Sequence, residues 1–512
     1  MSTTALVSTQ GASACTTALG NPDILGHIFS FVLPAYAPVF SDLEHLAFIC
    51  KDFLEQILNY TWAQLGSLLP LLSILPAFQI SGSRHGICGT VSEAEWSRFH
   101  YYSRRVKVLF YLPVGGPLGR VSPSASLRLA QLRSKPLLPA LRQLVVVAYE
   151  ELDLPWMYLG LTPTLETVHI AGAKNVSSEE TGFFLSAVAD NVPALSAFTF
   201  GTQQHQEGKA LSSVSRLLNL HDLKIIGMPC PDNLFRQMGN MTNLTNLSIE
   251  LSTIPIDLLD TPFDSLRQLS ISSPLNIINN ILQQLSAPRL ASLTMSATPP
   301  LQGHLTRKQM LHCLPSLRDC LSTLVNQWYK TLKELVITDT CNWNQPEGTA
   351  DFVDPLTRLD KLEHVDLRPA KLALSYDNLF TIGACHCWPK ITHLSLPWPG
   401  EHHTKALTLH ELGTLAELCP LLDYLQIYLD VSFVQPFVPR PPTFSQLRTL
   451  SVGSATGLEG INETLKVARL LDHYFHFLQE IEGHESHNKR SWCQIMDVIR
   501  VFRSVRAEPS RD

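Results

Sequence analysis

One six-residue pattern constrains this chain more than any other feature. It runs apolar, two mostly polar residues, apolar, one variable residue, apolar. It occurs as Leu141-Arg-Gln-Leu144-Val-Val146, Leu165-Glu-Thr-Val168-His-Ile170, Leu195-Ser-Ala-Phe198-Thr-Phe200 and Leu220-His-Asp-Leu223-Lys-Ile225. It continues as Leu244-Thr-Asn-Leu247-Ser-Ile249, Leu266-Arg-Gln-Leu269-Ser-Ile271, Leu290-Ala-Ser-Leu293-Thr-Met295 and Leu332-Lys-Glu-Leu335-Val-Ile337. The last four are Leu362-Glu-His-Val365-Asp-Leu367, Ile391-Thr-His-Leu394-Ser-Leu396, Leu422-Asp-Tyr-Leu425-Gln-Ile427 and Leu447-Arg-Thr-Leu450-Ser-Val452. Three apolar matches alone would arise by chance in about 3 to 4% of windows. Chance does not supply the spacing of the first positions, which is 24, 30, 25, 24, 22, 24, 42, 30, 29, 31 and 25 residues. Nor does it supply the proline shortly before many of them, such as Pro193, Pro288, Pro389 and Pro420.

This period is that of a leucine-rich repeat, in which each unit is one short strand and one helix. Segments between the triplets read as amphipathic helices, for instance Asn276 to Leu285, Leu317 to Tyr329 and Leu409 to Leu418. Neither element can bury its apolar side within one unit, so stacked neighbours must do it. The expected fold class is therefore α/β: a leucine-rich-repeat solenoid, a horseshoe with a parallel concave sheet and convex helices, over residues 141–460. The gap between Leu290 and Leu332 is expected to hold an insertion or a degenerate repeat. Residues 461–512 are expected to form a helical C-terminal cap, with a last weak strand near Phe477-Leu478-Gln-Glu-Ile481.

Composition fits a binding protein that acts inside a cell. The 512 residues are 45% hydrophobic and 16% charged, enough apolar material for a large core. The net charge of −6 gives no basic surplus for phosphates or anionic lipid, so neither nucleic acid nor a membrane is an expected partner. Eleven cysteines without paired spacing point to reduced thiols, and residues 1–20 carry no secretory signal and are expected to be a disordered tail. The expected location is cytoplasmic and/or nuclear.

Residues 21–75 do not fit the repeat and read as a small all-helical module, followed by a connecting region with an irregular first repeat at 76–140. After an Asn21-Pro22-Asp23 start signal, Ile24, Leu25, Ile28, Phe29 and Val32 keep helical spacing. Leu43, Leu46, Ala47, Ile49, Cys50 and Phe53 keep it again, and a third helical run includes Ile57, Leu58, Trp62 and Leu65. In the connecting region Arg104, Val106, Val108 and Phe110 alternate like a strand.

The segment Pro22-Asp-Ile24-Leu25-Gly-His-Ile28-Phe29-Ser-Phe31, then Leu43-Glu-His-Leu46-Ala-Phe-Ile49-Cys50-Lys-Asp-Phe53, then Trp62-Ala-Gln-Leu65 resembles an F-box. An F-box ahead of leucine-rich repeats is similar to the F-box proteins with such repeats that abound in mushroom-forming fungi. The resemblance implies an adaptor role in a ubiquitin ligase: the module binds a Skp-type adaptor and through it a cullin, while the repeats hold an unknown protein substrate. By motif position, the implied adaptor contacts are Pro22, Ile24, Leu25, Ile28, Leu46, Ile49, Cys50, Phe53 and Trp62. The alternative is that these helices only cap the array, in which case their apolar faces are buried.

Strand alternation assigns the residues between core positions to the concave face: His169, Lys224, Glu250, His364, Asp366, Arg368, His393, Tyr424, Gln426 and Tyr428. The expected substrate-binding group is Asp366, Arg368, His393, Tyr424 and Tyr428, which combines charge with aromatic anchors. Catalytic and cofactor signatures fail. Cys385-His-Cys387 lacks a second ligand pair for zinc, and His484-Glu-Ser-His487 lacks the i, i+4 spacing of a metalloprotease. Gly115-Gly-Pro-Leu-Gly119 lacks the Lys-Ser/Thr of a phosphate loop. No metal, no cofactor and no enzymatic activity are expected.

Overall fold

In a computed structural model, described residues are 21–32, 48, 51–81, 84–111, 120–121, 123–132, 136–147, 153–173, 176–202, 208–252, 262–298, 313–339, 353–367, 388–396, 407–431, 445–452, 461–483 and 489–507. The N-terminal tail, Leu46, Ile49, Cys50, Arg368, Cys385-His-Cys387 and residues 299–312 of the gap between Leu290 and Leu332 lie outside them. The chain divides into two compact units, Met1–Leu220 and His221–Asp512.

In the first unit, strands Gln64–Leu65, Val108–Tyr111, Gln143–Val147, Thr167–Ala173 and Ala197–Thr202 pair in sequence order, all parallel. In the second, ten parallel strands of the main sheet, among the described residues, run in order from Asp222–Pro229 to Glu480–Gly483. Parallel strands need a crossover between them, and a helix or helical turn supplies most of these. The chain is thus a leucine-rich-repeat α/β solenoid in each unit. The triplets point inward as their spacing requires: Leu141, Leu144 and Val146 are buried, as are Leu332, Leu335 and Ile337. Removing such apolar surface from water is the main stabilising term of the array.

One backbone device repeats from strand to strand within each unit. The carbonyl of the residue after the first apolar position accepts from two successive amides of the next repeat. Arg142 O accepts from Glu166 N at 2.8 Å and Thr167 N at 3.0 Å, and Thr245 O from Arg267 N at 2.8 Å and Gln268 N at 3.0 Å. That device corrects two sequence expectations. Lys107 O accepts from Arg142 N and Gln143 N, and Leu109 is in register with Leu144. The repeat here is therefore Val106-Lys-Val-Leu109-Phe-Tyr111, with Val108 and Phe110 on the outer face; the alternation of Val106 with Val108 and Phe110 as one face does not hold. Ala63 O in turn accepts from Lys107 N and Val108 N, both at 2.9 Å, and Leu65 is in register with Leu109. Gln64–Leu65 is the strand of a repeat that opens at Trp62 on the turn after helix Lys51–Thr61, so the N-terminal module is not all helical through residue 75 and the sheet starts within it.

The helices begin where capping chemistry dictates. Asn21 Oδ1 accepts from Asp23 N at 2.9 Å ahead of helix Pro22–Val32. Ser177 with Glu180 and Thr408 with Glu411 form capping boxes, the second opening helix Leu409–Leu418 at its expected residue. At the C-terminus, helix Ile461–Tyr474, strand Glu480–Gly483 and helix Lys489–Ala507 follow one another. The expected last strand is Glu480–Gly483, with Leu478 and Ile481 buried at the first two inward positions and Gly483 at the third. The final helix covers this end layer, with Trp492, Ile495 and Ile499 buried.

Candidate functional site

At the N-terminus, helix Pro22–Val32 packs against helix Lys51–Thr61, where a Cβ on Gly26 would stand 4.0 Å from Gln56 Oε1. Leu25 is only 1% exposed, whereas Ile24 and Ile28, each 42% exposed, face solvent, and Phe48 is 87% exposed. The implied adaptor residues therefore separate into two sets: Leu25 is internal packing, and Ile24 and Ile28 form an open apolar stripe. Phe53 is half-buried in the second helix. Trp62 is half-buried, with its ring 4.7 Å from that of Tyr102 and tilted 42° to it, on the turn that leads into the first strand. Leu46, Ile49 and Cys50 lie outside the described residues, and for Pro22 only its place at the helix start is described.

The second helix is fixed to helix Glu93–Ser103 and the turn after it by a charged cluster. Tyr101 Oη donates to Glu55, and the Arg105 guanidinium bonds both Glu55 and the carbonyl of Tyr101 while lying 4.0 Å from the Tyr101 ring centroid. The Tyr101 hydroxyl, together with the Arg105 guanidinium, holds the Glu55 carboxyl below the usual carboxylate range. The same bond raises the Tyr101 hydroxyl above its ordinary value. Arg105 is 5% exposed, so its charge relies on this carboxylate.

On the outer sheet face of the second unit, three rings form a ladder. His364 and His393 stack with centroids 3.9 Å apart and planes at 5°, and His393 and Tyr424 stack at 4.1 Å and 2°. They occupy one register row, since His364 pairs with His393 and His393 with Tyr424. Tyr424 Oη donates to Gln426 Oε1 at 3.2 Å. Tyr428 is half-buried just beyond this strand. Asp366 occupies its expected register position between Val336 and Ser395 but is 4% exposed, so it is not offered to a partner as alternation suggests. Period two gives the direction of a side chain and not what covers it. Of the wider group, Lys224 is exposed, and His169, Glu250 and Gln426 are half-buried.

Two features went unread in the sequence. The outer face of the first unit carries an apolar patch, with Phe110 facing Val145 in register and Val147 facing Ala171; Phe110 and Val147 are both partly exposed. His364 was one of ten outer positions, and only strand register shows it to be the first ring of the ladder. Among the described residues no cluster of His, Cys, Asp or Glu is arranged to hold a metal ion, and no helix is long and apolar enough to cross a membrane.

No family profile matches the chain, and no curated protein matches it. Solved structures that resemble it are leucine-rich-repeat folds. One is a leucine-rich-repeat protein of Leptospira interrogans, at 15% identity and a TM-score of 0.33, covering 82% of this chain and 99% of that one. Another is an internalin of Listeria monocytogenes, at 11% identity and 0.29, covering 81% and 84%. A third is a leucine-rich repeat-containing protein of Legionella pneumophila, at 12% identity and 0.34, covering 69% and 96%. At these values the likeness transfers no residue and no activity; the repeat rests on this chain's own strands and register.

Proposed function

We propose that this protein is the substrate-recognition subunit of a Skp/cullin/F-box ubiquitin ligase, acting in cytoplasm or nucleus and carrying out no chemistry itself. The observation that carries the reading is the split within one helix turn: Leu25 packs inward while Ile24 and Ile28 stay open. A helix that only capped the array would bury its apolar side, and an exposed apolar stripe on a soluble chain marks a contact surface. The F-box resemblance assigns that stripe to a Skp-type adaptor, by burial of apolar anchors between helices. The outer sheet faces are then the surfaces available for a protein substrate.

The second reading is a leucine-rich-repeat scaffold with no ligase partner. Co-purification of the full chain with a Skp-type adaptor, wild type against Ile24→Asp with Ile28→Asp, decides between them. Both positions are solvent-facing, so the double variant is expected to keep the fold, checked by circular dichroism. Adaptor binding by wild type and its loss in the variant support the ligase reading. Absence of binding by well-folded wild type leaves the scaffold.

A further inference from the structure

The ladder ends abruptly at Tyr424. In its register row the next residue is Thr449 and the one after it Glu480. Neighbouring strands stand about 4.8 Å apart, so Tyr424 and Glu480 are separated by about 9.6 Å of sheet with only a threonine side chain between them. Among the described residues no further ring stacks on Tyr424. The result is a slot one planar group thick, walled by an aromatic face on one side and a carboxylate on the other, over a short polar floor.

We propose that this slot receives an arginine side chain of a protein partner. The inference rests on the outer sheet face being a recognition surface and is independent of the adaptor. A guanidinium is planar and stacks on a tyrosine face as a fourth rung, while its edge N–H groups reach a carboxylate; the ammonium of lysine is compact and cannot do both in the same way. The electrostatics point the same way. On the strand ends around the ladder lie Glu334, Glu363, Asp423, Glu480 and Glu482, against Lys333 and Arg448. Lys333 is held by Glu363 at 2.9 Å and Arg448 by Asp423 at 3.4 Å. The carboxylates of Glu334, Glu480 and Glu482 remain over, so the row attracts cations and repels acidic partners. Arg448, the residue before Thr449 on the middle strand, is drawn aside by its pairing with Asp423.

The test is titration of the full chain with N-acetyl-Gly-Arg-Gly-amide and its lysine counterpart, read by saturation-transfer NMR on the peptide. The arginine peptide is expected to bind at least about fivefold tighter than the lysine peptide. Glu480→Gln, at an exposed position, is expected to weaken it about threefold. Tyr424→Ala is expected to erase the difference between the peptides, and Tyr424→Phe to keep it. Thr449→Tyr, which fills the slot from within the chain, is expected to abolish arginine binding and remains informative if Tyr424→Ala fails to fold. Equal binding of the two peptides, no detectable binding of either, or arginine binding unchanged in Glu480→Gln and Thr449→Tyr overturns the proposal.

Discussion

Arg105 and Glu55, fifty residues apart in sequence, form an ion pair that joins the second N-terminal helix to the end of helix Glu93–Ser103. The guanidinium side of the pair is almost fully shielded while the carboxylate side is about one-third exposed. Breaking such a pair from the carboxylate side strands a buried cation. Glu55→Ala is therefore expected to cost about 2 kcal/mol, below the roughly 3–5 kcal/mol of a fully buried pair because Glu55 remains partly solvated. The loss is local: amide hydrogen exchange should accelerate in helices Pro22–Val32 and Lys51–Thr61 and stay unchanged in strands Asn246–Glu250 and Gln268–Ser273. Uniform exchange across both regions would show that the pair holds nothing.

The same pair sets a pH dependence. Folding holds the Glu55 carboxyl below its ordinary value of 4.5, first through the Tyr101 hydroxyl and then through Arg105. A carboxyl whose value is depressed by folding stabilises the native state above the unfolded value, and that contribution is lost as pH falls through the folded one. The stability gap between wild type and Glu55→Gln should thus be present at pH 7, begin to close below about pH 4.5 and vanish at still lower pH. Chemical denaturation at a series of pH values reads it directly, and a gap that is flat with pH contradicts the assignment.

Two glycines test how tightly the layers pack. A Cβ on Gly483 would lie 2.9 Å from the Cα of Lys489 and 3.1 Å from Trp492, against backbone and a fully buried ring. Gly483→Ala is expected to cost about 1–3 kcal/mol by forcing the final helix away. A Cβ on Gly182, inside helix Ser178–Asn191, meets nothing nearer than 3.6 Å. Gly182→Ala is expected to be neutral or to stabilise by about 0.5–1 kcal/mol, because alanine loses less backbone entropy in a helix. The thermal unfolding midpoint should fall for Gly483→Ala and stay level or rise for Gly182→Ala.

The cysteines should react in two classes. Burial pushes the Cys320 thiol up to about 12 and that of Cys419 up to about 11, and it raises Cys230 as well. The thiolate is the nucleophile, so these three are protonated and shielded near neutral pH. Cys88 and Cys493 are exposed and unbridged. Brief alkylation of the native chain followed by mass spectrometry should label Cys88 and Cys493 and spare the buried three, which should react only after denaturation. Early labelling of Cys320 would mean that helix Cys313–Trp328 opens in the native state.

The repeat was legible because a sheet with one buried face demands an apolar residue at every inward position, and Leu244, Leu247 and Ile249 announce this without ambiguity. Register was not legible where outward positions were apolar too. In Val106-Lys-Val-Leu109-Phe-Tyr111, Val108 and Phe110 make both parities look alike, and only pairing with Gln143–Val147 selects one. The ladder was half legible: alternation put His393 and Tyr424 on one face, but their stacking depends on strand neighbours 31 positions apart in sequence. Asp366 shows the remaining limit, since nothing in its own strand indicates that it is covered.

Trp62 brings these limits together, and a single substitution resolves its role. A triplet's first two apolar positions are three residues apart, which is also close to one helical turn, so Trp62-Ala-Gln-Leu65 satisfies a helix and a repeat strand equally well on paper. Trp62 N still donates to Leu58 O at 3.0 Å, while the hydrogen bonds from Lys107 and Val108 to Ala63 bring Gln64–Leu65 into the sheet, so Trp62 sits on the turn between helix and strand with its ring beside Tyr102. A half-buried indole in that position contributes mainly packing, so Trp62→Ala is expected to destabilise the first layer by about 2–3 kcal/mol, less than the roughly 3–5 kcal/mol of a fully buried ring. At a temperature where the variant is fully folded, adaptor binding should fall far less than in the Ile24→Asp, Ile28→Asp variant. If Trp62→Ala instead abolishes adaptor binding while its unfolding midpoint matches wild type, the exposed part of the ring is itself an adaptor contact, and the indole serves the partner more than the sheet.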